Sequence, residues 1–356
     1  MKNQNIKYRN NNTILFSGKI TKKIVLVFLT IVLIFTACEK IIFEKEIKNS
    51  PEECFEYLWD QVNTKYAFLE YKRIDWDSIY LVYRPMISDD ISKDSLFNVM
   101  GRMLNELHDG HVNLFSNFNV SRYDITMLGP ENINNRVVEE NYLKSDYYKT
   151  GPFAHNFIHN KQIGYIRYAS FSNSMITDFE LDYILERYKN TSGLIIDIRQ
   201  NGGGYVSNVF TLLERFGNDE RLLYETQIKS GPEKDDFTTL EQAFSNANEK
   251  NLYTGNVAVL TDRGSYSASS FFSVCAYAYD NIILVGDTTG GGLGLPNGGQ
   301  LPNGWTYRFS ITRTIAVDGG NYENGVPPDY TVIINDNADE TGIDIVIEFA
   351  ADKLLE

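Results

Sequence analysis

Cysteine and histidine are scarce in this chain of 356 residues, and positive charge is concentrated only before residue 24. Three cysteines, Cys38, Cys54 and Cys275, cannot build a disulfide scaffold. Four histidines, His108, His111, His155 and His159, bound the places where imidazole chemistry can occur. Lys and Arg number 33 against 47 Asp and Glu, a net charge of −14. A phosphate backbone needs a basic face, so nucleic acid is not an expected partner. Lysine is missing altogether between Lys250 and Lys353. What is abundant is ordinary core material: 43% hydrophobic and 13% aromatic residues exclude a disordered or collagenous chain. The length suits two domains, or one large domain with an appended helical region.

The first 37 residues read as an address. Lys2, Lys7, Arg9, Lys19, Lys22 and Lys23 precede a largely apolar run at 24–35, which leads into Thr36-Ala37-Cys38. A basic start, a short apolar stretch and a small residue before cysteine describe a lipoprotein-type secretory signal over 1–37. Twelve residues reach only about 18 Å as a helix, short of a hydrocarbon core of roughly 30 Å. Cleavage before Cys38 would leave that thiol for acylation, and the lipid would be the chain's sole hold on a membrane. The expected location is the bacterial cell envelope, lipid-anchored on the periplasmic face or cell surface. Losing those six basic residues takes the net charge from −14 to −20 on the remaining 319 residues. Cys275 lies in an apolar helical run and reads as a small core residue, with a Cys54–Cys275 bridge as the alternative.

Residues 38–50 read as a tether. Ser50, Pro51 and Glu53 then announce a helix as N-cap, first-turn proline and capping-box acid, and Phe55, Leu58, Trp59 and Val62 repeat at helical spacing. Further helices are expected at 76–84 and 92–106, making 51–111 a small helical cap. Residues 112–162 are polar and Asn-rich, connecting strands and loops with strand-like pieces at 112–115 and 136–140. From 163 to 356 strands alternate with helices: strands at 163–168, 193–198, 257–261 and 282–285, helices at 177–189, 206–216 and 268–279. That order predicts an α/β core with a mostly parallel sheet and flanking helices. One antiparallel strand at 305–314 and a closing helix at 341–355 complete it. Residues 231–254 and 291–304 are polar or Gly/Asn-rich loops that could edge a cleft.

Three segments carry chemistry. In the first, a buried strand runs through Asp197-Ile198-Arg199-Gln200-Asn201 into Gly202-Gly203-Gly204. Such glycines either make a tight strand–helix turn or aim backbone N–H groups at an anion. A phosphate loop is excluded, because no Lys-Ser/Thr follows. In the second, a strand ends in Asp262-Arg263-Gly264-Ser265-Tyr266-Ser267-Ala268-Ser269. Ser265 or Ser267 either caps the next helix or acts as a nucleophile beside the Ala268 N–H. The third, Leu107-His108-Asp109-Gly110-His111-Val112, holds two histidines in a glycine-containing turn. They could form a metal pair, but no third ligand in a suitable short motif accompanies them. His155 and His159 read as solvated loop residues.

In this order the segments resemble the S41 family of serine peptidases, which includes the C-terminal processing (tail-specific) peptidases and the tricorn core protease. Asp197 to Gly204 is similar to the family's Asp-x-Arg-x-Asn-x-Gly-Gly, and Ser267-Ala268-Ser269 to its nucleophile motif. Gly286-Asp287-Thr288-Thr289-Gly290-Gly291 and Gly325-Val326-Pro327-Pro328-Asp329 look like its two later turns. The resemblance implies a ClpP/crotonase-like core, no cofactor, no metal, and a peptide or protein substrate. It sets no oligomeric state. The family's Ser-Lys version would need a lysine at position 292, which is Gly292 here. Its tricorn-like version implies Ser267 as nucleophile, His111 as base and Glu323 as the acidic member, with Gly110 where a supporting serine would stand. Gly203 or Gly202, together with Ala268, would hold the oxyanion. Residues 112–161 are too few for a PDZ domain. Two other readings remain: a catalytically impaired binding protein for peptides or apolar ligands, and an acyl-thioester enzyme, which export makes improbable.

Overall fold

A computed structural model describes residues 49–172, 174–246, 250–334 and 338–356. Residues 1–37, Cys38 and most of the 38–50 stretch lie outside the described residues. The cap begins as its sequence dictates. Helix α1 (Pro51–Lys65) has Ser50 accepting from the Glu53 N–H, and buries Phe55, Leu58 and Val62. Helices α2 (Trp76–Tyr83) and α3 (Lys93–Asn105) follow, with Leu96, Val99, Met100, Met103 and Leu104 turned inward.

Strands β1 (Asn113–Phe115) and β2 (Val120–Arg122) come next. The piece at 136–140, expected as strand-like, is helical instead. Asn134 caps a turn at Asn135–Val137 that continues as a π-helix over Val138–Leu143. Val137, Val138, Tyr142 and Leu143 share one buried side, a spacing that suits a helix and not a strand. Beyond it lie β3 (Tyr148–Thr150), β4 (Phe153–Ile158), β5 (Ile163–Tyr168), α4 (Asp178–Tyr188), β6 (Gly193–Asp197) and α5 (Val206–Leu213). His155 is fully buried in β4, between the Thr150 hydroxyl (2.9 Å) and the Tyr188 hydroxyl (2.8 Å), so the solvated reading of this histidine is corrected. His159 is partly exposed beside Glu348.

The remaining elements are β7 (Leu222–Ile228), β8 (Glu241–Phe244), β9 (Asn256–Thr261), α6 (Ala268–Ala276), β10 (Ile282–Gly286), β11 (Pro296–Gln300), β12 (Thr306–Ser310), β13 (Thr312–Ala316), β14 (Tyr330–Thr331) and α7 (Ile345–Leu355). Seven strands form the central sheet in the order β14-β10-β9-β6-β5-β4-β3. Its five strands from β14 to β5 are parallel, and β4 and β3 are antiparallel. Period-2 alternation covers both faces. Leu194 and Ile196 of β6, with Val257 and Val259 of β9, join the core beneath α4, α5 and α6. Ile195, Ala258 and Leu260 join Val346, Ile347 and Ala350 of α7 on the other face.

The single strand expected at 305–314 is two. β12 pairs with β1 and β11 in a four-stranded sheet, whereas β13 pairs with β7 in a separate three-stranded one. Ile311 is the break, its N–H donating to the Leu295 carbonyl. β12 also places Tyr307 and Phe309 in one core with Phe55, Leu58 and Met100 of the cap helices. Cys54 and Cys275 are both free and buried, so the bridge is not formed. Among the described residues no helix is long and apolar enough to cross a membrane.

Candidate active site

The parallel strands end on one side of the sheet, where β6 and β9 deliver the glycine loop and the serine turn side by side. Asp262, at the end of β9, folds that turn. Its Oδ1 accepts from the N–H groups of Gln200 (2.8 Å), Gly264 (3.0 Å) and Ser265 (3.1 Å). The Ser265 hydroxyl donates to the Ile198 carbonyl at 2.8 Å and is buried, so Ser265 is a structural residue. Ser267 stands differently. Its φ of 58° is unusual for a residue with a side chain, and its hydroxyl makes no helix-capping bond. The Ser267 N–H donates to Gly291 and its carbonyl accepts from Phe271, which hold the backbone in that conformation.

The Ser267 hydroxyl meets His111. Nε2 lies 2.9 Å from Oγ, across 156 residues of sequence. His111 is only 7% exposed, and burial lowers its pKa below the ordinary 6.5. Asp109 and the Gly294 carbonyl pull the other way, while Arg308 and Lys72 add to the lowering. The ring is therefore neutral near pH 7. Its buried Nδ1 makes no full hydrogen bond among the described residues, the Gly294 carbonyl acting on the ring from nearby.

Asp109 anchors the histidine through the main chain. Its Oδ1 accepts from the His111 N–H (2.8 Å) and the Tyr266 hydroxyl (3.3 Å), and its Oδ2 from Tyr66 (3.0 Å) and Ser310 (3.1 Å). Burial would raise its pKa, but Lys72, His111 and these donors outweigh it and keep the carboxylate below its usual value. Burial holds both tyrosine pKa values well above 10, so each phenol keeps the proton it donates. Glu323 is also buried, its Oε2 accepting from the Leu293 (2.7 Å) and Gly294 (2.9 Å) N–H groups. Burial, then the Asp109 charge, push its pKa up to about 8, against the pull of Lys72 and the two amides. None of the described hydrogen bonds joins Glu323 to His111 or Ser267; it acts on the loop beside them.

Tyr266 explains one departure from the family pattern and borders another. A Cβ at Gly110 would come within 2.3 Å of the Ile125 side chain, which would have to move to admit a serine, and within 3.0 Å of the Tyr266 hydroxyl. A Cβ at Gly292 would come within 2.4 Å of the same ring. The tyrosine thus fills the space that a lysine at 292 would need. Neither Tyr266 nor Asp109 was singled out for chemistry by the sequence; the one available signal was their position beside Ser267 and His111.

Of the three expected oxyanion donors, two have no acceptor among the described hydrogen bonds. Ala268 opens α6, so its N–H has no intrahelical acceptor. Gly202 is exposed, with open space where a Cβ would be. The Gly203 N–H is already engaged by Asn201 Oδ1 at 3.0 Å, so this glycine packs and does not donate. The same Asn201 accepts from the Phe171 N–H, and its carbonyl takes the Tyr266 N–H, tying the glycine loop to the serine turn. Arg199 and Asp197 are structural. Arg199 is fully buried against Asp197 (2.6 Å) and against Asp344 at the start of α7 (2.9 Å). Among the described residues no cluster of His, Cys, Asp and Glu could hold a metal, and His108 and His111 do not form a pair with a third ligand.

Gly203 has a φ of +92°, and a Cβ there would lie 2.6 Å from the Tyr266 carbonyl and 2.8 Å from the Ala268 nitrogen. Gly203→Ala is therefore expected to cost about 1–3 kcal/mol of stability and to shift the serine turn. Thermal unfolding alongside the rate of Ser267 modification checks this. An unaltered melting temperature would mean that the loop has room the structure does not show.

Ser267, His111, Ala268 and Gly202 line one cavity of about 430 Å³, whose other walls include Phe271 and Leu295. The family model for Peptidase family S41 matches residues 162–332, and that for the Tricorn protease C1 domain matches 47–105. A crystal structure of a candidate peptidase from Parabacteroides merdae is 36% identical with a TM-score of 0.81, covering 87% of this chain and 98% of that one. The carboxy-terminal processing protease CtpB of Bacillus subtilis is 28% identical over 186 residues, 48% of this chain and 37% of that protein. CtpA of the same organism is 22% identical over 180 residues, covering 50% and 37%. The chain thus spans little more than a third of the length of these curated relatives.

Proposed function

The chain belongs to peptidase family S41, and on that premise we propose that it is a serine endopeptidase working through a Ser267–His111 pair. The observation that carries this is the 2.9 Å contact between a neutral, buried imidazole and a hydroxyl that caps nothing. His111 Nε2 takes the Ser267 proton as Oγ attacks a peptide carbonyl. The N–H groups of Ala268 and Gly202 would donate to the negative charge that develops on the carbonyl oxygen. His111 then passes the proton to the departing amine as the C–N bond breaks. A water, deprotonated by the same ring, releases the acyl group. The carboxylate of Asp109 fixes the His111 backbone and stabilises the imidazolium formed in between. The sequence pattern before Cys38 supports the further proposal that the peptidase works at the cell envelope, held there by a lipid.

A fluorophosphonate probe tests the pair without knowledge of the substrate. Labelling is expected on Ser267 alone. Its rate should rise with pH and level off through a pKa below 6.5, because a protonated ring cannot accept the serine proton. A protein that binds peptides but resists the probe at every pH would be a binding module instead.

A further inference from the structure

One turn of the cap breaks the rule that a surface helix turns polar residues to water. In α2 the side that carries Trp76, Ile79, Tyr80 and Tyr83 packs into the cap core. Helical spacing puts Leu81 and Val82 on the opposite side, and Pro85 and Met86 continue it in the short 3₁₀ turn that follows, Arg84–Met86. Leu81 is 72% exposed, Val82 56% and Met86 44%, and Pro85 is exposed as well. Apolar residues scattered singly over a surface need no explanation, but four neighbours on one side do. The patch lies where the described chain begins. Arg84, flanked by these residues, pairs with Glu52 and with Glu56 (2.6 Å), and the Tyr80 hydroxyl donates to Glu56 at 2.8 Å. Those bonds fix the patch beside the first turns of α1.

We infer that Leu81, Val82, Pro85 and Met86 form a foothold that enters the outer layer of a lipid bilayer and seats the cap against it. The inference rests on the lipid-anchor reading proposed above and not on the catalytic one. Cys38 precedes Asn49 by eleven residues, a span of at most about 40 Å, so a lipid on Cys38 keeps the start of α1, and the patch beside it, close to the membrane. The composition suits acyl chains, since these side chains carry no donor or acceptor. Arg84 is already paired, and Asp89 and Asp90 are exposed just beyond Met86, so no cluster of cations selects an anionic headgroup. Arg102 borders the patch, its Nη2 3.7 Å from the Met86 Sδ, and its stem can lie along the apolar layer with the guanidinium at headgroup level. A covalent lipid alone leaves the domain free to swing on its tether; a second, apolar contact restricts how the cap faces the membrane.

The test places a nitroxide at Val82→Cys and, in a second protein, at Asn190→Cys on the turn after α4, with the full chain bound to phosphatidylcholine vesicles. Cys54 and Cys275 are buried and Cys38 carries the lipid, so the introduced thiol takes the label. Oxygen concentrates among acyl chains and a nickel chelate stays in water. The ratio of oxygen to nickel collisions should be about tenfold higher at 82 than at 190. Replacing both Leu81 and Met86 by serine, a change confined to exposed side chains, should bring the two ratios together. Equal ratios with the patch intact would overturn the foothold. So would a label at 82 shielded from both collision partners, because residues 39–48 or a second copy of the chain would then cover the patch. Flotation with the vesicles is scored separately. Flotation lost on Cys38→Ser, with equal ratios in the parent, removes the foothold alone; flotation that survives Cys38→Ser, with a lipid-exposed label at 82, removes the anchor reading alone.

Discussion

Ser267→Ala should reduce peptide hydrolysis at least about 10⁴-fold, and His111→Ala should do nearly the same. The two residues act as one unit, so the double variant should be scarcely worse than either single one. In the proposed mechanism the Ser267 oxygen is the atom that attacks. Without it, what survives is the stabilisation from the Ala268 and Gly202 N–H groups and from substrate binding. Without the ring, the hydroxyl keeps its proton near pH 7 and remains a weak nucleophile. Neither loss should come from misfolding. The Ser267 hydroxyl makes no capping bond, and its place in the turn is held by its main-chain bonds to Gly291 and Phe271. Steady-state rates with a peptide substrate, together with melting temperatures, decide it. If Ser267→Ala cut peptides at the parent rate, another nucleophile would have to be found.

Glu323→Gln should leave stability unchanged near pH 4 and raise it increasingly toward pH 8. The folded protein holds this carboxyl at a pKa of about 8, whereas the unfolded chain returns it to the ordinary 4.5. Between those values the unfolded state has lost the proton and the folded state has kept it, so stability falls as pH rises. Each pH unit in that window costs roughly 1.4 kcal/mol, on the order of 4 kcal/mol by pH 8. Glutamine carries no such titration, and its side-chain oxygen can still accept from Leu293 and Gly294. Asp109 titrates below its usual value in the same cluster, so its contribution is present above that range and lost only in acid. Urea unfolding of both proteins at pH 5, 6.5 and 8 measures the widening gap. A gap constant with pH would show that Glu323 is ionised in the folded protein.

Periodicity was a sound guide where one face of an element is apolar. The cap helices and the strands at β5, β6, β9 and β10 fall where their alternation places them, because burial on a sheet or beneath a helix imposes its period locally. It misled at 136–140 and at His155, where two adjacent valines and one imidazole look the same whether solvated or packed. It also ran β12 and β13 together. Their residues are equally strand-like, and only the partners, β1 on one side of Ile311 and β7 on the other, divide them.

What the sequence determined by itself is the chemistry within reach: four imidazoles, no lysine from 251 to 352, and serines and glycines at the ends of buried strands. Those facts remove a Ser-Lys pair without any coordinates. Tertiary structure alone decided that the Ser267 hydroxyl and the His111 ring come within hydrogen-bond reach, that Gly203 spends its N–H on Asn201, and that Tyr266 occupies the space beside Gly292. The reason is physical. Local sequence sets what each segment can form, but a hydrogen bond between residues 156 positions apart exists only once the sheet, the cap and their shared core have fixed both partners to within a fraction of an ångström.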